Sequence, residues 1–244
     1  MTELILSDIT IMGQGYCVLG LERVENSYRS IRPLPPLGFA WREPFPFRRR
    51  DRVSVSLQAV ETHLPHFEDR QSQGMRVCGE RLPEESLVEC LKKAEVSTNL
   101  ENLFDCPVQA GSQGGRALWV DPSTAKRSVC GCEYENVRFR IYPEAEGYAL
   151  RAELVVASGE RIPSIPIVDR SWRRFVAALL KRVTRSEPLP FVERFLNRTI
   201  HPKLVISLSR FARIGLPRPR ENAQCWLMLD SLFPQPQRPW LDLL

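Results

Sequence analysis

No apolar run in this chain approaches the roughly 20 residues that a membrane-spanning helix needs. Its opening, MTELILSDITIMG, lacks the basic flank of a secretory leader and alternates like a strand. A cytoplasmic protein with no membrane partner is the expectation. Histidine is scarce, at three residues (His63, His66 and His201), which leaves little material for general-base chemistry or imidazole ligation. The seven cysteines are odd in number and scattered, so a reducing compartment is expected and no disulfide framework. Cys130 and Cys132, the one close pair, are separated by a single residue, whereas zinc sites use two to four, and no second pair completes them. Small buried core thiols are the simpler reading, with no metal and no cofactor. The GQG at 13–15 lacks the Lys-Ser/Thr and helix of a phosphate loop and the third glycine of a dinucleotide fingerprint. In THLPHFED, 62–69, His63 and His66 stand near Glu68 and Asp69, but no nucleophile or ligand cluster accompanies them. A turn whose carboxylates satisfy backbone donors is favoured there. The protein is therefore expected not to be an enzyme.

What is present is β patterning. The 43% hydrophobic and 26% charged content of these 244 residues is ordinary for a globular chain, long enough for one large or two small domains. In VRFRIY, Val137, Phe139 and Ile141 alternate with Arg138, Arg140 and Tyr142, so the cations and the tyrosine share one strand face. After a turn at 146–147, Tyr148 to Val156 repeats the alternation and leaves Arg151 and Glu153 outward. Asp169 then caps a helix with Trp172, Phe175, Val176, Leu179 and Leu180 on one side. Earlier, strands are expected at 3–12, 16–23 and 28–32, followed by a Pro-rich loop with Phe39, Trp41, Phe45 and Phe47, and a strand through Val53, Val55 and Leu57. A helix opens at Pro83 and runs to about Ala94, 97–117 reads as a connector, and 186–197 as a second short helix. The tail, FPQPQRPWLDLL, is Pro-rich and apolar enough to dock on a body or a partner.

Several of these stretches, taken in order, resemble the prokaryotic dual OB-containing domain family. They are GQGYCVLG (13–20), the Ile-Arg-Pro strand end (31–33) and PHFED (65–69) in the first half. In the second half they are ENVRFRIY (135–142), IPIVD before a Trp-Arg-Arg-Phe helix (165–175), LVISLSR (204–210) and CWLMLDSLF (225–233). The resemblance implies two consecutive small barrels with no assigned chemistry. It departs from the family pattern in the Pro- and Phe-rich loop at 33–47 and the insertion at 183–203. Short strands with Gly/Pro turns and an intervening helix agree with it. The expected fold is mainly β with short helices, as two consecutive OB-like small β-barrels, 1–116 and 117–244.

Charge suggests the ligand. Residues 1–122 hold 14 Lys+Arg against 17 Asp+Glu, whereas residues 123–244 hold 20 against 12. A single-stranded nucleic acid needs cations along a groove and flat side chains for base stacking. Arg138, Arg140, Tyr142 and Arg151 supply that mixture in the second unit, and Arg29, Arg32, Trp41, Arg48, Arg49 and Arg50 in the first. Solvated arginines and packing aromatics are the plain alternative. The second functional expectation is a protein-interaction or adaptor subunit of a larger assembly, for instance a bacterial defence complex. It would use the helix bearing Arg170, Arg173, Arg174, Lys181 and Arg182.

Overall fold

The computed structural model describes residues 1–60, 66–94, 96–97, 103–110, 118–145, 147–199, 204–211 and 225–232. His63, His201 and the tail lie outside them. The first unit begins with the expected meander: β1 (Thr2–Met12), β2 (Gly15–Val24) and β3 (Ser27–Leu34). A loop leads to β4 (Arg52–Ala59) and then β5 (Asp69–Val77), and the five strands close into a barrel in the order β1-β2-β3-β5-β4. The closing pair is parallel, with Arg32 opposite Asp69. Inside it, Leu4, Leu6, Ile9, Val18, Ile31, Val53 and Val55 form the core. Phe45 and Phe47 of the Pro-rich loop join that core, which explains why so aromatic a stretch can follow so many prolines.

Next come α1 (Glu84–Lys92), β6 (Val96–Ser97), β7 (Gln109–Ala110) and β8 (Leu118–Val120). The 97–117 stretch is more than a connector, because Leu103, Phe104 and Cys106 are buried in the second core together with Leu87, Val88 and Leu91 of α1. Leu21 joins them from the outer face of the barrel, so the two units share an apolar contact.

The second unit contains β9 (Val129–Glu144), β10 (Gly147–Val156), β11 (Arg161–Pro166), α2 (Arg170–Arg182), α3 (Pro188–Thr199), β12 (Leu204–Phe211) and β13 (Cys225–Leu232). These strands form a sheet ordered β11-β10-β9-β12-β13-β8-β7, with β6 also on β9. Here the structure stops short of the expected second closed barrel: β11 approaches β13, but no ladder joins them among the described residues. Pro163 and Pro166 lie in β11, and a strand that lacks two N–H donors suits an edge.

The long β9 changes partner midway. Its Val129–Tyr134 part pairs with β12, and its later part runs past the end of that strand. Helix α3 covers the exposed edge with side chains. Asn197 Oδ1 accepts from Phe139 N at 2.8 Å while its Nδ2 donates to Phe139 O at 3.0 Å, and Glu193 accepts from Ile141 N at 2.9 Å. Polar contacts also tie the units together. Buried Glu68 accepts from Ser128 N (2.6 Å), Ser128 Oγ and Val129 N (3.2 Å). Half-buried Arg49 lies between Glu84 of α1 (3.1 Å) and Asp169, the cap of α2 (3.5 Å). No helix among the described residues is long and apolar enough to cross a membrane.

Candidate nucleic-acid interface

Alternation on β9 places Arg138, Arg140 and Tyr142 outward, as the period-two pattern requires. Cross-strand register sets Arg140 opposite Arg151 and Arg138 opposite Glu153. Two of the arginines on this face are already engaged. Arg140 pairs with Glu153 (3.0 Å) and Glu193 (3.3 Å), and these hydrogen bonds, led by that from Glu153, raise its pKa. Arg151 donates to Ser164 Oγ at 2.6 Å and to its carbonyl at 3.3 Å, and burial lowers its pKa. Arg138 stands exposed with no carboxylate bonded to it among the described residues, and Tyr142 is 39% exposed.

In the first unit the named residues are dispersed. Arg29 pairs with Glu22 on the neighbouring strand. Arg32 makes a bidentate pair with Asp69 across the parallel closing strands, so it holds the barrel shut. Trp41 donates from Nε1 to Pro33 O at 2.8 Å and sits edge-on to Phe47, so its indole packs the barrel end. Arg49 is the tie between the units described above. Arg50 lies at positive φ (76°) in the turn that Asp51 fixes by accepting from Arg48 N at 2.8 Å. That turn leaves the Arg48 side chain exposed.

Arg48 belongs to a cluster assembled from three segments. Gly15 approaches the Trp41 carbonyl so closely that a Cβ would lie 2.5 Å from its oxygen. The same approach makes a two-bond bridge, Tyr16 N to Trp41 O at 2.7 Å and Trp41 N to Tyr16 O at 2.8 Å. It sets Tyr16 beside Glu43, whose carboxylate accepts from the phenol and from Phe45 N (2.8 Å). Over the Tyr16 ring, 4.3 Å from its centroid, lies the guanidinium of Arg170, from the first turn of α2. Arg170 is also 5.9 Å from the Phe45 ring and 3.8 Å from Glu43, and its buried Nε has no hydrogen-bond partner. Burial lowers its pKa first, and the nearby Arg174 and Arg48 lower it further. Glu43 is held below its ordinary pKa, chiefly by the Tyr16 hydrogen bond, with Arg170 and Arg174 adding to the effect.

Helix α2 extends this positive surface. RSWRRFVAALLKR holds five cations and no carboxylate. Asp169 accepts from Ser171 N and Trp172 N, so the cap satisfies the helix end, while Trp172, Phe175 and Val176 are buried. At 3.6 residues per turn, Arg170, Arg174 and Lys181 fall within roughly 40° of one another and span about 16 Å. Arg174, Lys181 and Arg182 are exposed. Tyr16 and Glu43 are not among the ligand contacts expected from the sequence, and Arg170 and Arg174 enter there only as part of an adaptor helix. The helix's lack of acids was the available signal.

Among the described residues no group of three or more His, Cys, Asp or Glu could hold a metal ion. Burial, with a contribution from Cys130, pushes the Cys132 thiol up to about 12, the opposite of what a thiolate ligand needs. His66 is buried beside Glu68 and Asp69, both of which hold structural partners. No family model matches the chain, and neither curated proteins nor solved structures give a match.

Proposed function

We propose that this protein binds nucleic acid, single-stranded in preference to duplex, and is not an enzyme. The observation that carries this reading is the acid-free basic face of α2 running beside the exposed Arg48 of the barrel loop. Cations in file suit a phosphate backbone, and the single strand is favoured because the exposed rings of Phe39 in the barrel loop and Tyr142 on β9 offer flat faces to unpaired bases. Exposed Arg138 and Tyr142 on β9 supply a second, weaker contact.

The strand order supports a tandem OB-like architecture of the prokaryotic dual OB-containing kind. In the first unit a three-strand meander has β4 added beside β1 and β5 beside β3. In the second, the meander β9-β10-β11 has β12 beside β9, and β13 comes near β11. The second unit is thus the same order with one seam unjoined. Fold of this type does not by itself assign a ligand.

Fluorescence anisotropy with labelled 20-nucleotide DNA and RNA, single-stranded and duplex, across a salt series tests the reading. The expected result is salt-sensitive binding in which Lys181→Ala/Arg182→Ala lowers the log–log salt slope by roughly 1.4 on single strands. Arg138→Ala is expected to weaken binding less. No binding at low salt, or binding indifferent to the α2 pair, overturns it. The adaptor alternative is favoured by the exposed Leu37 and Phe39 (90% and 50%) at the loop tip. It predicts a stable protein complex that Leu37→Ser/Phe39→Ser disrupts.

A further inference from the structure

We infer that the cluster of Arg48, Arg170 and Arg174 beside Tyr16 and Glu43 is a phosphomonoester site, which takes the terminal phosphate of a bound nucleic-acid strand. The inference rests on the nucleic-acid reading for its ligand and on the following geometry for its chemistry.

Three guanidiniums converge where the barrel loop meets the first turn of α2, and Glu43 is the carboxylate that faces them. Their formal sum is therefore two positive charges. A phosphodiester brings one negative charge, whereas a terminal phosphate brings about 1.5 to 2 near neutral pH and three acceptor oxygens. The terminal group is the better match in charge. The site is also built rather than incidental. Arg170, with its side chain 12% exposed, is fixed by the Tyr16 ring below and the Phe45 ring beside it. Among the described residues its one ionic contact, to Glu43, is long at 3.8 Å, and its Nε has no hydrogen-bond partner. Arg48 and Arg174 are exposed and border this floor, so an incoming anion meets two exposed forks beside a fixed one. An anion between the three would offset both the burial of the Arg170 charge and the like-charge repulsion from Arg174 and Arg48. The helix end contributes little here, because Asp169 already takes two of its N–H groups.

The test compares 15-nucleotide oligothymidylates carrying a 5′-phosphate, a 3′-phosphate or hydroxyls at both ends, on the full chain at low salt. The expected result is that one phosphorylated end binds about tenfold tighter than the hydroxyl-ended strand. Arg48→Ala/Arg174→Ala, both exposed positions, is expected to abolish that preference, so that phosphorylated and hydroxyl-ended strands bind the variant equally, at an affinity lowered by the loss of two cations from the basic face. Equal affinity for all three strands overturns the inference and leaves the nucleic-acid reading standing. If no strand binds, that reading falls, and thermal shift with thymidine 5′-monophosphate, thymidine and inorganic phosphate decides the site alone. A shift with both phosphates, lost in the double variant, supports it. No shift with either overturns it.

Discussion

Replacing Glu68 with alanine removes one carboxylate that holds the start of β9 to the end of the barrel. Glu68 is buried and accepts three hydrogen bonds: Ser128 N at 2.6 Å, Ser128 Oγ, and Val129 N at 3.2 Å. In Glu68→Ala the two backbone donors stay buried without an acceptor. At about 1–3 kcal/mol for each unsatisfied group, the loss comes to roughly 2–6 kcal/mol. Glu68→Gln keeps one acceptor oxygen for the two amides, and its amide can donate to the Ser128 hydroxyl once that group turns, so about 1–2 kcal/mol is expected. Ser128→Ala deletes only the hydroxyl and is expected to cost a similar 1–2 kcal/mol. Urea denaturation followed by tryptophan fluorescence reads the series, with limited proteolysis between the units as a second measurement. The order Ala far below Gln, with Gln near Ser128→Ala, identifies satisfied amides as the cause. A Glu68→Ala protein within 1 kcal/mol of wild type refutes the reasoning. So does a Gln variant as damaged as Ala, because then charge and not hydrogen bonding would hold the junction.

Asp169 gives a pH signature. Burial raises its pKa from 3.8 to about 6, Asp8 adding to this, while Arg49 and the Ser171 and Trp172 amides oppose it. Because the folded state holds this proton more tightly than the unfolded chain, stability contributed by protonated Asp169 is full below pH 4 and is lost as pH rises through 6. The total is about 3 kcal/mol. The stability of wild type relative to Asp169→Asn, followed by denaturation at pH 4 to 7.5, is expected to fall across that window; a flat difference contradicts the account. Gly15→Ala places a Cβ 2.5 Å from a backbone oxygen that cannot swing aside. It is expected to lower stability by roughly 1–3 kcal/mol, and an unchanged unfolding midpoint would show that the close approach is not maintained.

Much of the fold was legible because the relevant signals are local. Alternation fixed which face of β9 turns outward, and Asp169 announced α2 through its spacing from Trp172, Phe175 and Val176. The polar β5, DRQSQGMRV, was not expected as a strand: closure against β3 and β4 gives it its partners, and that is a long-range effect. The aromatic loop was ambiguous for a related reason. Nothing in its composition tells that Phe45 and Phe47 fill the barrel end while Phe39 stays outside. The candidate site was harder still. Whether an arginine is available depends on carboxylates far along the chain, as Asp69 is for Arg32 and Glu193 for Arg140. Tyr16, Glu43 and Arg170 meet only after folding.

Arg49 and the helix cap it grips stand 120 positions apart. Expressing either half separately would part these ionised groups: the amino-terminal fragment would keep the Arg49 cation and Glu84, and the carboxy-terminal one would keep the Asp169 carboxylate at the head of α2 without Arg49. Dissection at the midpoint therefore yields poorly behaved pieces, whereas point changes on the exposed arginines leave an intact molecule.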